Sequence, residues 1–142
     1  MLTFFVALTQ QMALSHLSIK PGDCIKVKGK IEPDAKSFAL NLGRDGSDLI
    51  LHFNARFESL GDVRTIVCNS KVKREWGSEV RESIFPFEQG EQTKLCVHFN
   101  AEEVTVKMDE GHEIKFPNRL GLETAEYFAV EGDISVRSVK FD

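Results

Sequence analysis

The chain has 142 residues, which suits one compact domain better than two. Hydrophobic residues make up 42% and include eleven Phe, enough to build a real core. A formal net charge of −4 argues against nucleic acid or an anionic membrane surface as the main partner, since both need a basic face.

No apolar run approaches the roughly 18 residues that a membrane span needs, so no membrane insertion is expected. Residues 1–8 are rich in apolar side chains (Leu2, Phe4, Phe5, Val6, Ala7, Leu8), but the run ends at Thr9-Gln10-Gln11 and no basic region leads it. A secretory signal wants that basic region and a longer apolar stretch. The segment therefore reads as an extra strand or a disordered leader, and Met12 would also serve as a start. Cys24, Cys68 and Cys96 are odd in number and widely spaced, which is neither a disulfide framework nor a zinc or thioredoxin-type pair. With no Asn-x-Ser/Thr sequon either, the thiols favour folding in the cytosol.

From there on, period-two alternation dominates. In residues 24–31, Ile25 and Val27 face one way while Lys26 and Lys28 face the other. Strands follow at 37–42, 49–57 and 65–69. Leu95, Val97 and Phe99 alternate with Cys96 and His98, and Val104, Val106 and Met108 alternate with Thr105 and Lys107. Residues 114–116, 127–130 and 134–141 complete the set. Turn signals lie between, among them Lys20-Pro21-Gly22-Asp23, Glu32-Pro33-Asp34, Gly43-Arg44-Asp45-Gly46 and Glu131-Gly132-Asp133. Only residues 122–127 hint at a short helix. This is an all-β pattern, an antiparallel two-sheet β-sandwich with a closed barrel as the structural alternative.

The stretch Leu51-His52-Phe53-Asn54-Ala55-Arg56-Phe57 is the most informative. Its apolar members share one strand face, and His52, Asn54 and Arg56 share the other. A merely solvated strand would do as well with Thr, Lys or Glu. The row instead offers a ring nitrogen, an amide and a planar fork of donors, which together can hold a sugar hydroxyl as donor and acceptor at once. Asn69 ends the next strand, and residues 70–75 read as a polar bend. Trp76, the only tryptophan, stands between Glu75 and Gly77 with no apolar alternation around it, which points to an exposed indole. Glu79 and Arg81, two apart, project together and can pair. Galactose differs from glucose by an axial 4-hydroxyl, which leaves one ring face a continuous C–H patch. An indole suits that patch and the His/Asn/Arg row suits the hydroxyl. Shallow binding of this kind is expected at about millimolar to micromolar strength.

His52-x-Asn54-x-Arg56, then Asn69, then Trp76-x-x-Glu79-x-Arg81 resembles the carbohydrate signature of the galectin family, in its single-domain prototype form. Lys20-Pro21-Gly22, Pro33-Asp34-Ala35-Lys36-Ser37-Phe38, Ile66-Val67-Cys68-Asn69-Ser70, Phe85-Pro86-Phe87 and Phe116-Pro117-Asn118-Arg119-Leu120 carry the resemblance along essentially the whole chain. It implies a jelly-roll sandwich like that of the legume lectins, with the carbohydrate-recognition domain at residues 12–142. A leader at residues 1–11 would be either disordered or at a dimer edge. By the same resemblance His52, Asn54 and Arg56 would contact the galactose 4-hydroxyl and ring oxygen, and Asn69 the 6-hydroxyl. Trp76 would stack on the ring, and Glu79 and Arg81 would reach the 6-hydroxyl and the adjoining sugar. Ser37 would border the 3-hydroxyl side, and Asp62 would steady the arginines. Ala55 stands where the motif usually has Pro, and Leu60 where a relative has His near the second sugar.

The resemblance further implies a metal-independent lectin for β-galactosides, lactose and N-acetyllactosamine among them, on cell-surface and matrix glycoproteins. It would cross-link them as a homodimer through N- and C-terminal strands, with Ala13, Leu14, Leu17, Val139 and Phe141 at the contact. The protein would be made in the cytosol and exported to the extracellular space without a signal peptide. Catalysis is not expected. Glu79 and Glu82 are three apart on a strand and point to opposite faces, whereas glycoside hydrolysis needs two carboxylates flanking one bond. No cofactor or metal is expected either, because His16, His52, His98 and His112 are scattered. A protein-binding sandwich whose sugar site has decayed is the rival reading. Such a protein would be expected to lack Trp76, Arg56 or Glu79.

Overall fold

The structure, a computed structural model, describes residues 2–9 as a backbone strand and residues 11–142 with their side chains. In chain order the strands are β1 (Leu2–Thr9), β2 (Met12–Leu14), β3 (Cys24–Ile31), β4 (Ser37–Gly43), β5 (Leu49–Ser59), β6 (Asp62–Val72), β7 (Glu75–Trp76), β8 (Val80–Glu82), β9 (Gln92–Phe99), β10 (Glu103–Lys107), β11 (Glu113–Pro117), β12 (Tyr127–Gly132) and β13 (Ile134–Phe141). They form two antiparallel sheets, in the order β1-β13-β3-β9-β10-β11 and β2-β12-β4-β5-β6-β7, with β8 also on β6. Each sheet has its own two edges, so the sandwich stands and the barrel does not.

Alternation decides which side of each strand is buried. Val27, Leu95 and Val104 from the six-stranded sheet meet Leu40, Phe53 and Ile66 from the seven-stranded one in a single core. Aromatic packing ties the middle of that core together. Phe87 meets Phe38 of β4 edge-on at 5.2 Å and Phe53 of β5 at 6.4 Å, and Phe85 meets Phe57 at 4.9 Å. The Phe85-Pro86-Phe87 segment therefore braces β4 and β5 from inside, and those two strands turn their other faces away from the core, with Asn41, Asn54 and Arg56 on them still largely buried.

Three expectations need correcting. Residues 122–127 are not helical. Ile19 and Ala125 exchange two backbone hydrogen bonds of 2.9 Å, and both are buried. That long-range pairing outweighs a weak local preference. Among the described residues the only helical element is the single turn Asp109–Gly111. The bend read at residues 70–75 is a hairpin, with Val72 opposite Glu75 and both Lys73 and Arg74 at positive φ (49° and 71°). Finally, β13 is not an edge strand. Leu2–Thr9 lies along its outer side, and Val139 is fully buried, so that side chain is not offered to a second copy. Met1 and Gln10, part of the expected leader, lie outside the described residues.

Candidate functional site

The row on β5 is built as its spacing requires. Leu51, Phe53, Ala55 and Phe57 are buried in the core, and His52, Asn54 and Arg56 emerge on the opposite face. Hairpin registry then adds neighbours: His52 sits opposite Asn69 on β6 and Asn41 on β4, and Arg56 sits opposite Ser37. His52, Asn54, Arg56, Asn69, Trp76 and Glu79 line one open cleft of about 620 Å³, with Val67, Gly77 and Leu60 completing its wall. That size is typical of small-molecule sites. Of the other expected residues, Ser37 borders the row but does not line the cleft, and Asp62 and Arg81 stand behind it as supports.

Each polar group has one hand fixed and one free. His52 Nδ1 lies 2.6 Å from Asn41 Oδ1. A carboxamide oxygen can only accept, so the proton is on Nδ1 and the Nε2 lone pair is left as an acceptor. Burial, then the nearby Lys71 and Arg56 cations, push the imidazole down to about 4, against a weaker opposing pull from Glu79. His52 is therefore neutral at ordinary pH. Asn54 Nδ2 donates to Phe38 O at 3.0 Å and its Oδ1 accepts from Arg56 Nε at 2.7 Å, so one amide N–H still faces the cleft. Asn69 Nδ2 donates to Gly77 O at 3.0 Å, and its Oδ1 accepts from Ser70 N at 2.8 Å, again leaving one N–H.

The charges close on themselves. Arg56 Nη1 donates to Asp62 Oδ2 at 2.7 Å, Asp62 accepts two hydrogen bonds of 3.1 Å from Arg81, and Arg81 Nη1 lies 3.1 Å from Glu79 Oε1. Glu79 Oε2 returns to Arg56 Nη2 at 3.9 Å. Hydrogen bonds from Arg81 and then Arg56 hold the Asp62 carboxyl below its ordinary value. Two cations and two anions thus fix one another, with guanidinium N–H groups of Arg56 left over for a ligand.

Trp76 is 50% exposed, which agrees with the exposed reading of the lone indole. Its ring is 4.8 Å from that of His52, and Lys71 Nζ sits 4.4 Å from its centroid, a cation–π contact. Gly77 leaves room for the polar side chains that pack against it. A Cβ there would come 2.9 Å from Ser70 Oγ and 3.1 Å from Arg119 Nη1.

Sequence reasoning missed three of these parts. Asn41, which sets the His52 tautomer, lies eleven residues away and is buried, so only the β4–β5 register exposes its role. Lys71 is one more charged residue on a strand until the hairpin brings Trp76 over it. Arg119 reaches from the loop after β11 to Ser70 Oγ and to Ser78 O, at 3.2 and 2.9 Å, and pins the Trp76 segment to β6. The Phe116–Leu120 motif carries the family resemblance, but nothing in its spacing assigns Arg119 a role.

The arrangement can hold a neutral polyhydroxylated ring, with an apolar face on the indole and hydroxyls shared between an imidazole acceptor and fixed N–H donors. Among the described residues no group of three or more His, Cys, Asp or Glu is placed to hold a metal. Comparison with known proteins agrees with that chemistry. Residues 10–141 match the family described as Galactoside-binding lectin. Galectin-1 of Sus scrofa is 50% identical over 131 residues, spanning 92% of this chain and 97% of its own length. The 16 kDa beta-galactoside-binding lectin of Gallus gallus is 52% identical over 132 residues, spanning 93% and 98%. Among solved structures, CG-16, described as a homodimeric agglutinin from chicken liver, has a TM-score of 0.91 at 52% identity and covers 94% of this chain and 100% of its own. A toad ovary galectin in complex with thio-digalactose has a TM-score of 0.90 at 41% identity, covering 94% and 99%.

Proposed function

The chain belongs to the galactoside-binding lectins, the galectins, and from that premise we propose how its own residues hold the sugar and what it does with it. It is a β-galactoside-binding lectin and not an enzyme. Residues 12–142 are its carbohydrate-recognition domain. In the proposed pose the axial 4-hydroxyl of galactose donates to His52 Nε2 and accepts from Asn54 and Arg56, and Arg56 also donates to the ring oxygen. Asn69 donates to the 6-hydroxyl, where Glu79 accepts, and the C–H face of the ring lies on Trp76. Ser37 borders the 3-hydroxyl side. Arg81 reaches the adjoining sugar, and Asp62 holds both arginines in place. The observation that carries this pose is the His52–Asn41 hydrogen bond, because it turns a bare acceptor towards the cleft beside fixed donors.

Titrating tryptophan fluorescence with lactose tests it, with maltose as control and a chelator in one series. Trp76 is the sole indole, so the signal comes from the proposed stacking residue. A saturable change is expected with lactose alone and in either buffer. The same titration near pH 5.5 should give the affinity found near pH 7.5. An ordinary imidazole would by then be mostly protonated and the affinity about tenfold weaker. With the His52 value depressed to about 4, the neutral acceptor persists until pH falls through that value. No response to tens of millimolar lactose would sink the pose.

A single weak site gains strength when copies are joined. The protein is proposed to act as a homodimer on galactose-terminated or lactosamine-containing glycoproteins of the cell surface and matrix. It would be made in the cytosol and exported without a signal peptide. A dimeric relative, CG-16, supports the assembly, and β2, outermost in the seven-stranded sheet with Ala13 exposed, is the strand proposed to meet its copy. Sedimentation should show a dimer at micromolar concentration, and monomer alone would contradict it.

A further inference from the structure

The sandwich has a second outer face, on the six-stranded sheet, across the core from the sugar cleft. Alternation along β3 buries Ile25, Val27 and Ile31 and turns Lys26, Lys28 and Lys30 outwards, all exposed. Lys94 of β9, Lys107 of β10 and Lys115 of β11 are exposed on the same side. Register brings like charges together, with Lys28 opposite Lys94 and Lys26 opposite Lys140 of β13. Side chains so opposed have their Cβ atoms about 5 Å apart, and like charges there destabilise the pair. The carboxylates of this face do not balance it. Glu113 stands opposite Lys107, Glu103 stands opposite Pro117, and Asp142 lies 2.9 Å from Lys26 Nζ. Among the described residues, Lys26 is the one lysine of this face in an ion pair. His98, also on it, is pushed below its ordinary value by burial and then by the Lys107 cation, with Lys26 adding to that against Glu113. A chain of net charge −4 thus concentrates cations on one face, which the total conceals.

We propose that this face binds a linear sulfated polysaccharide of the glycosaminoglycan type, on the far side of the core from the galactoside cleft. The lysines recur about 5 Å apart across the strands and about 7 Å apart along β3, a lattice of point charges with three donors each. Sulfates and carboxylates along a sugar chain ask for nothing but cations and donors. An anionic membrane would also want an apolar group to insert. The exposed large apolar residues, Leu60, Val63, Val72, Trp76, Val80 and Ile84, all lie outside the strands of this sheet. Single-stranded nucleic acid would want rings on which bases stack. Phe99 and Phe116 are buried in the core and Phe141 packs against it, so no described aromatic ring of this sheet is turned outwards. A sheet face cannot enter the groove of a duplex as a helix or two-stranded ribbon does. With the two ligands on opposite sides of the core, one copy can join a galactoside to a sulfated chain.

Fluorescence anisotropy of a labelled heparin oligosaccharide with the full chain tests this, in about 0.15 M salt and with lactose saturating. Binding is expected at tens of micromolar or tighter, weakening steeply as salt is raised and unaltered by lactose. The double variant Lys28→Gln/Lys94→Gln should weaken it about tenfold. That variant should melt no lower than the native chain, because a like-charge pair has been removed. Lys36→Gln, in the groove beside the β5–β6 turn, should leave heparin binding unchanged. No binding by the native chain, displacement of heparin by lactose, or a double variant that binds as the native chain does would each overturn the proposal. Duplex DNA bound as tightly as heparin would overturn it too, since the face would then select nothing but charge.

Discussion

Replacing Arg56 with Met lowers lactose affinity at least about a hundredfold. The Arg56 side chain is 8% exposed and engaged on three sides, with Asn54, Asp62 and Glu79. Its loss has two consequences in the proposed pose. The galactose 4-hydroxyl and ring oxygen lose charge-assisted donors, each worth roughly 1.5–3 kcal/mol. Asn54 Oδ1 also loses the hydrogen bond from Arg56 Nε, so that end of the amide is no longer held. Met keeps the length and fills the space without offering a donor. Calorimetry with lactose measures the loss, and a thermal melt of the same sample separates it from unfolding. Asp62 retains Arg81, and the melting transition should stay well above assay temperature. Affinity within a few-fold of the native chain would remove Arg56 from the site.

Phe53→Ala has the largest expected effect on stability, about 3–5 kcal/mol. Phe53 is fully buried in β5 and meets Phe87 edge-on, and Phe87 also meets Phe38 on the neighbouring strand. Truncation opens a cavity behind the strand that carries His52, Asn54 and Arg56. The ring network on either side is stiff, so little of that space can close. Urea unfolding should show a lower midpoint at unchanged slope, since the same surface is exposed on unfolding. A loss below about 1 kcal/mol would mean that the core collapses around the missing ring more freely than its packing implies.

The fold class was legible because strand alternation is local. In residues 51–57 a single reading of period two separates core from site, and the hydrophobic-core and cleft-lining residues divide along that line. Trp76 was legible as exposed for the converse reason, since nothing apolar alternates around it. What could not be read is what depends on register. Asn41 looks like any polar residue within a buried strand until β4 is laid beside β5 and its oxygen meets His52. The Arg56–Asp62–Arg81–Glu79 arrangement draws on both ends of a hairpin and on β8, and pairwise spacing gave only the Glu79–Arg81 contact. The first strand was invisible to periodicity because residues 4–8 are apolar without alternation. The helix expected at 122–127 failed for a related reason: its fate was decided by Ile19, over a hundred residues away.

The closed arrangement of two arginines and two carboxylates also sets how the protein meets its ligand from a distance. Opposite charges 2.7–3.9 Å apart cancel almost completely a few ångströms out. This arrangement therefore casts little field of its own into solvent, well inside the roughly 8 Å over which physiological salt would screen it anyway. A neutral sugar offers no charge to be drawn in. Encounter is left to diffusion, and ionic strength should hardly touch the association rate. Four formal charges at a binding site usually announce electrostatic capture. Here they are turned inwards, and they act as scaffolding.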